Sequence, residues 1–166
     1  MNTDGLRLTA EQESWLQPWL SRWGAWVYTG RLEKRQSSII AEYMATVEPR
    51  NYPDRPICND DDGMLICGVL DVLYEIDRRA FGMLLLRYVH GSSDRAIARH
   101  YHATAKPRLM VRRNGKESYR VPSHITCRRE VAEILCAAEY LIYQPLQDAF
   151  IKREKETKCR KLVQTC

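Results

Sequence analysis

The chain has 166 residues, of which 45% are apolar and 28% charged, and a formal net charge of +5. That length and composition fit one globular domain with a real core. The longest apolar run is far short of a membrane span and the N-terminus lacks a signal-peptide core, so a cytoplasmic protein is expected.

Charge is unevenly spread. From Glu42 to Asp77 there are nine acidic residues and two arginines, a local balance of −7. Residues 95–129 hold ten Lys or Arg against one Glu, and the last stretch, 152–166, holds six basic and two acidic residues. An acidic front and a basic back suit a protein that meets nucleic acid with one side only. The six cysteines, at positions 58, 67, 127, 136, 159 and 166, are expected as reduced thiols in the cytosol. A zinc site from Cys58, Cys67 and some of His90, His100 and His102 lacks the spacing of ribbons or fingers. No metal or cofactor is therefore expected.

In chain order, Thr9-Ala-Glu-Gln12 is a capping box that starts a helix. Trp15, Trp19, Trp23 and Trp26 follow on one helical face, with Pro18 either a kink or the start of a second helix. A tryptophan stripe could stack unpaired bases, but large aromatics dominate cores, and the core reading is adopted. A short amphipathic helix is expected over 33–47, with Ile39, Ile40, Tyr43 and Met44 at helical spacing. Pro49, Pro53 and Pro56 then make a loop. Asn59-Asp60-Asp61-Asp62-Gly63 opens the next helix, where carboxylates suit the unpaired N–H groups and the dipole. Its buried face is expected to be Met64, Leu65, Val69, Leu70, Leu73 and Tyr74. Another helix from about Asp77 turns Phe81, Leu84, Leu85 and Tyr88 inward and stops at Gly91.

Residues 92–129 read as the two halves of a helix-turn-helix held apart by a basic insert. Ser93 caps a supporting helix in which Ala96, Ile97 and Ala98 pack inward while Arg95 and Arg99 point out. A helix opening at Ser123 is the recognition element, with His124, Thr126, Arg128 and Arg129 in the first turns that reach base edges. Between them His102 occupies the turn. Two strand-forming runs, 108–113 and 116–121, then flank Asn114-Gly115, a strong hairpin signal. In a two-residue turn Arg112 faces Glu117 and Met110 faces Tyr119. Lys106, Arg108, Arg112, Arg113, Lys116 and Arg120 become the phosphate or RNA contacts of this insert. The competing arrangement has Thr104 capping a short recognition helix of its own. The last helix, from Ser123 to about Phe150, buries Val131, Ile134, Leu135, Ala138, Leu141, Ile142 and Leu146, with Pro145 bending or breaking it.

The expected fold is thus all-α: a compact helical domain with a helix-turn-helix interrupted by a basic insert, for which a β-hairpin is the favoured form. One domain spans 1–151, with tryptophan-rich helices over 9–47 and the helix-turn-helix core over 59–150 carrying the insert 103–122; a basic tail follows over 152–166.

Several segments together resemble the late-gene antiterminator Q proteins of lambdoid phages, in the branch without the zinc finger of phage lambda's own Q. They are Trp23-Gly24-Ala25-Trp26, Ser37-Ser38-Ile39, the stretch Arg55-Pro56-Ile57-Cys58-Asn59-Asp60-Asp61-Asp62-Gly63-Met64-Leu65-Ile66-Cys67-Gly68, Leu86-Arg87-Tyr88 with Gly91, Ile97-Ala98-Arg99, and the helix at Ser123. The matches span roughly 20–147 in order. The resemblance implies a non-enzymatic factor that binds double-stranded DNA at a late-promoter element and loads onto paused RNA polymerase holoenzyme with its sigma factor. It implies read-through of terminators by modifying the RNA exit channel around the nascent RNA. Asp60, Asp61 and Asp62 are carried as a weak polymerase contact. Two other readings stay open. A helix-turn-helix repressor or sigma-like factor would bind DNA equally well. A nuclease could use the same three aspartates on Mg²⁺, although consecutive helical residues point about 100° apart and cannot share one ion.

Overall fold

The computed structural model describes residues 5–28 and 55–164. The helix expected over 33–47 and the first part of the proline loop lie outside these residues.

Helix α1, Ala10–Tyr28, starts with the expected box: Thr9 N–H donates to Gln12 Oε1 at 2.9 Å and Gln12 N–H to Thr9 Oγ1 at 3.3 Å. Pro18 lies inside this single helix on its exposed side, where the carbonyl left without an N–H partner can bond to water. Trp23 and Trp26 are buried, and Trp15 and Trp19 are half-buried against Tyr143 and Phe150, so the tryptophan stripe is core. Gly24 lets this helix meet the next layer at backbone distance, since a Cβ there would lie 1.9 Å from the Tyr88 carbonyl oxygen.

Helix α2, Asp60–Ile76, is capped by Asn59, whose side chain accepts the Asp62 N–H at 2.7 Å. Its buried face differs from the expected one. Gly63, Ile66, Cys67, Leu70 and Leu73 turn inward, Leu65, Val69 and Tyr74 are half-buried, and Met64 is 40% exposed. The reason is the neighbour: the Trp26 ring sits on Gly63, and the Trp23 indole N–H donates to Cys67 Sγ at 3.2 Å. Apolar periodicity alone allowed either rotation.

Helix α3, Arg78–Leu84, is capped by the Asp77 carboxylate and runs on as a π-helical segment, Leu85–Val89. It ends as expected at Gly91, whose φ of +62° is in the left-handed region, while Ser92 N–H closes on the Leu86 carbonyl at 2.8 Å. The Arg55 guanidinium forks onto the Tyr88 and Val89 carbonyls, at 2.7 Å each. A cation on the last carbonyls of a helix also meets the negative end of its dipole.

Helix α4, Asp94–Thr104, takes its cap from Ser93, whose Oγ accepts the Ala96 N–H. It runs two residues beyond His102, so His102 is helical and not part of a turn. Thr104 Oγ1 bonds back to the His100 and Tyr101 carbonyls; it ends this helix and does not cap another. An antiparallel hairpin follows, β1 Arg108–Val111 and β2 Glu117–Arg120. Its register pairs Leu109 with Tyr119, Met110 with Ser118 and Val111 with Glu117, one residue away from the expected pairing. Arg113-Asn114-Gly115 form a three-residue loop closed by Gly115 N–H on the Arg112 carbonyl, and Gly115 has φ +77°. A left-handed glycine as third loop residue gives a bulged turn in place of the two-residue one.

Helix α5, His124–Gln164, is one 41-residue element. Pro145 is exposed and does not break it, and the expected tail is helical through its described length. Val131, Leu135, Ala138, Ile142 and Leu146 are buried, Ile134 is half-buried and Leu141 is 38% exposed. The core lies where α2 and α3 pack on this long helix and α1 packs on α2 and the π segment. Among the described residues no helix is long and apolar enough to cross a membrane.

Candidate nucleic-acid interface

Two helix starts and a hairpin build the basic face. Buried Ile97 and Ala98 fix the roll of α4, which leaves Arg95 and Arg99, one turn apart, pointing outward. Ser123 caps α5, with its Oγ accepting the Thr126 N–H at 3.2 Å, and fully buried Cys127 and Val131 anchor the first turns. His124, Ile125 and Arg128 therefore project on the opposite side. Between the two helices lies a shallow pocket of about 260 Å³ lined by Arg95, Ala98, Arg99, His124, Ile125 and Arg128. No carboxylate lines it. The rings of His102 and His124 stack across the same junction, with centroids 3.6 Å apart and planes 21° apart.

Four of the six residues expected to face DNA thus share one pocket. Thr126 is half-buried, its hydroxyl 3.0 Å from that of Ser123, so it serves the helix start. Arg129 is exposed but outside the pocket lining.

The hairpin turns Met110 and Ser118 toward the body and leaves Leu109, Val111 and Tyr119 exposed on the other face. Lys106, Arg112, Arg113, Lys116 and Arg120 are all exposed. Arg108 is differently engaged. Its guanidinium pairs with Glu130 Oε1, and Glu130 Oε2 accepts the Tyr101 hydroxyl at 3.1 Å, which itself accepts from Arg79 at 3.2 Å. Arg108 is therefore the clasp that holds the base of the hairpin to α5, rather than a free phosphate contact. Burial, reinforced by Glu130, pushes the Tyr101 hydroxyl above its usual range and keeps it a donor. Sequence reasoning missed this clasp, as it missed the His102 and His124 stack. The one acid in the first turns of α5, set among arginines, was the available signal.

Two members of the acidic triplet have partners within the chain, and only Asp62 is buried. Asp60 Oδ1 accepts the Trp26 indole N–H at 2.8 Å, and Asp62, 9% exposed, pairs with Arg153 at 2.5 Å. Asp60 and Asp61 are both exposed, and of the two Asp60 is the one held by the Trp26 indole. Burial, with Asp62 nearby, pushes the Cys58 thiol up to about 11. Among the described residues no group of three His, Cys, Asp or Glu side chains could hold a metal ion.

The family model for phage antitermination protein Q matches residues 13–120. The chain belongs to this family. Antitermination protein Q of Escherichia phage 933W is 38% identical over 80 residues, which are 48% of this chain and 55% of that protein. The prophage antitermination protein Q homolog QuuD of Escherichia coli K12 is 32% identical over 83 residues, 50% of this chain and 65% of its own length. The match thus spans less than two thirds of either curated relative. Among solved structures, the bacteriophage 21 Q protein is 53% identical with a TM-score of 0.78, covering 89% of this chain and 98% of that one. Transcription antitermination factor Q21 in complex with Q21-binding-element DNA is 54% identical with a TM-score of 0.80, covering 90% and 98%.

Proposed function

We propose that this Q-family protein is a phage transcription antitermination factor that binds double-stranded DNA through α4 and the first turns of α5. The observation that carries the reading is the pocket between those helices, where Arg95, Arg99, His124 and Arg128 converge without a carboxylate. Four cationic or protonatable groups at a helix N-terminus suit a phosphate-lined groove. The 54% identity to Q21, a protein whose complex holds its DNA element, supports the same use here. In this reading α4 supports, α5 recognises, and the hairpin between them makes the unit an interrupted helix-turn-helix. Arg112, Arg113, Lys116 and Arg120 on the hairpin, with Lys106 at its base, track phosphates or the nascent RNA. Arg129 contacts the DNA backbone beside the pocket.

The rest follows from family membership. The protein loads from a late-promoter element onto RNA polymerase paused with its sigma factor and travels with it. By narrowing or extending the RNA exit channel it keeps a terminator hairpin from forming. Of the two exposed members of the acidic triplet, Asp60 holds the Trp26 indole, and Asp61 is the carboxylate offered to polymerase. The function is non-enzymatic, and Asp60 and Asp62 already have intramolecular partners that a nuclease reading would need them to leave.

Single-round transcription by bacterial RNA polymerase holoenzyme tests this on a template with a phage late promoter, its pause site and a downstream intrinsic terminator. The expected result is added full-length product that depends on the promoter-proximal DNA. Unchanged termination with a blocked promoter would replace the reading by a repressor, and Mg²⁺-dependent cutting of the template by a nuclease.

A further inference from the structure

Ile125 is the second residue of α5 and is 67% exposed. A lone exposed isoleucine is ordinary on a protein surface. Its setting is not. It lies in the pocket with Arg95, Arg99, His124 and Arg128, and the other apolar group there is the small Ala98 on the facing helix. The arrangement is a ring of positive or protonatable groups around a small apolar centre, at the tip of the helix assigned to enter the groove. Cations on such a rim pair with phosphates, which leaves the centre facing base edges. Every polar edge in the major groove asks for a donor or an acceptor, and Ile125 offers neither. The one apolar feature displayed there is the 5-methyl group of thymine.

We propose that Ile125 reads the 5-methyl group of a thymine in the DNA major groove, with the methyl seated against Ile125 and Ala98. This rests on the DNA-binding reading above and names what one position of its site must be. A β-branched side chain suits the task, because its stiff χ1 holds the methyl-sized recess in shape without further ordering on binding. Ile125 carries no charge, so its replacement acts on specificity and leaves the electrostatic part of affinity untouched.

The test uses the full chain and a pool of DNA duplexes randomised at the centre. Wild type and Ile125→Ala are enriched in parallel, and each thymine of the duplex enriched by wild type is then replaced by deoxyuridine, which lacks only the methyl. For wild type, one replacement should weaken binding about fourfold, the equivalent of one buried methyl group. Ile125→Val should keep that sensitivity. Ile125→Ala should bind thymine and uracil duplexes equally, keep the wild-type salt dependence, and enrich sites with no thymine preference at that position. Wild type indifferent to every deoxyuridine, or an alanine variant as sensitive as wild type, overturns the assignment while steep salt dependence leaves DNA binding standing. Salt-independent binding with no sequence enriched would remove both together.

Discussion

Two glycines on neighbouring helices should respond to the same substitution with opposite signs. At Gly24 an added Cβ would sit 1.9 Å from the Tyr88 carbonyl oxygen, 2.3 Å from its carbon and 2.9 Å from the Val89 nitrogen. All three atoms are backbone, so no side chain can swing aside. The same oxygen accepts one arm of the Arg55 fork, so separating α1 from the π segment also disturbs that bond. Overpacking of a tight core contact costs about 1–3 kcal/mol, and loss of a charge-assisted bond adds about 1.5–3 kcal/mol, set against a helix-propensity gain of about 1 kcal/mol. Gly24→Ala should therefore lose about 3 kcal/mol, which in a domain of this size lowers Tm by roughly 6–12 °C. Gly68, mid-way along α2, meets nothing within 4 Å of its added Cβ. Gly68→Ala should gain up to about 1 kcal/mol from helix propensity alone. Thermal and urea unfolding of the two variants would decide it. Equal shifts, or a neutral Gly24→Ala, would mean that the close approach of α1 to the Tyr88 carbonyl is not there.

Further outcomes are open to direct measurement. If about six phosphates are neutralised, log affinity for DNA should fall against log salt with a slope near −5, and a flat line would discredit the basic face as the DNA surface. Arg128→Ala should cost ~1–3 kcal/mol on the preferred site and relax sequence preference if the side chain reads a base; an equal loss on random DNA would assign it to phosphate. Glu130→Ala removes the shared acceptor of Arg108 and Tyr101, so limited proteolysis should cut the loop at 112–116 faster while the melting of the helical body changes by no more than about 1–2 kcal/mol. Cut rates equal to wild type would show that the clasp does not hold the hairpin. Cys58, with its thiol pushed up from 9.0 to about 11, should alkylate far more slowly at pH 8 than exposed Cys159, read by peptide mass. The folded state binds that proton more tightly, so this contribution to stability is present below about pH 9 and lost as pH rises toward about 11. Stability unchanged across that window would refute the burial of Cys58.

What was legible in the sequence was what is local. Thr9, Asn59, Ser93 and Ser123 each announce a helix start, because a cap needs only its own three or four neighbours. Arg95, Arg99 and Arg128 stood out because ten cations against one acid is a composition signal. The buried face of α2 did not, since the Trp26 ring on Gly63, far away in sequence, chooses the rotation. The hairpin existed where Asn114-Gly115 marks it, but its register depended on whether the glycine was the second or third loop residue. Pro18 and Pro145 looked like breaks and are not, because both sit on solvent-facing sides of helices held by their buried faces. Arg108 read as one more phosphate contact because its partner, Glu130, lies 22 residues along the chain. Ile125 escaped notice because an exposed apolar residue carries no signature until its neighbours are known.

The unbroken course of α5 sets a ruler into the molecule. At 1.5 Å per residue, Arg153 lies about 44 Å along the axis from His124, and the end of the helix about 60 Å from it. Distance and azimuth between the N-terminus of α5 and its far end are therefore set along one continuous helix. Anything bound at the far end is carried at a set distance from the first turn of the helix and with a set rotation about the axis. One residue inserted in the distal turns would swing what lies beyond it by about 100°, whereas seven would nearly restore the azimuth and add about 10 Å of reach. Orientation and reach at that end are then separable variables of a single helix.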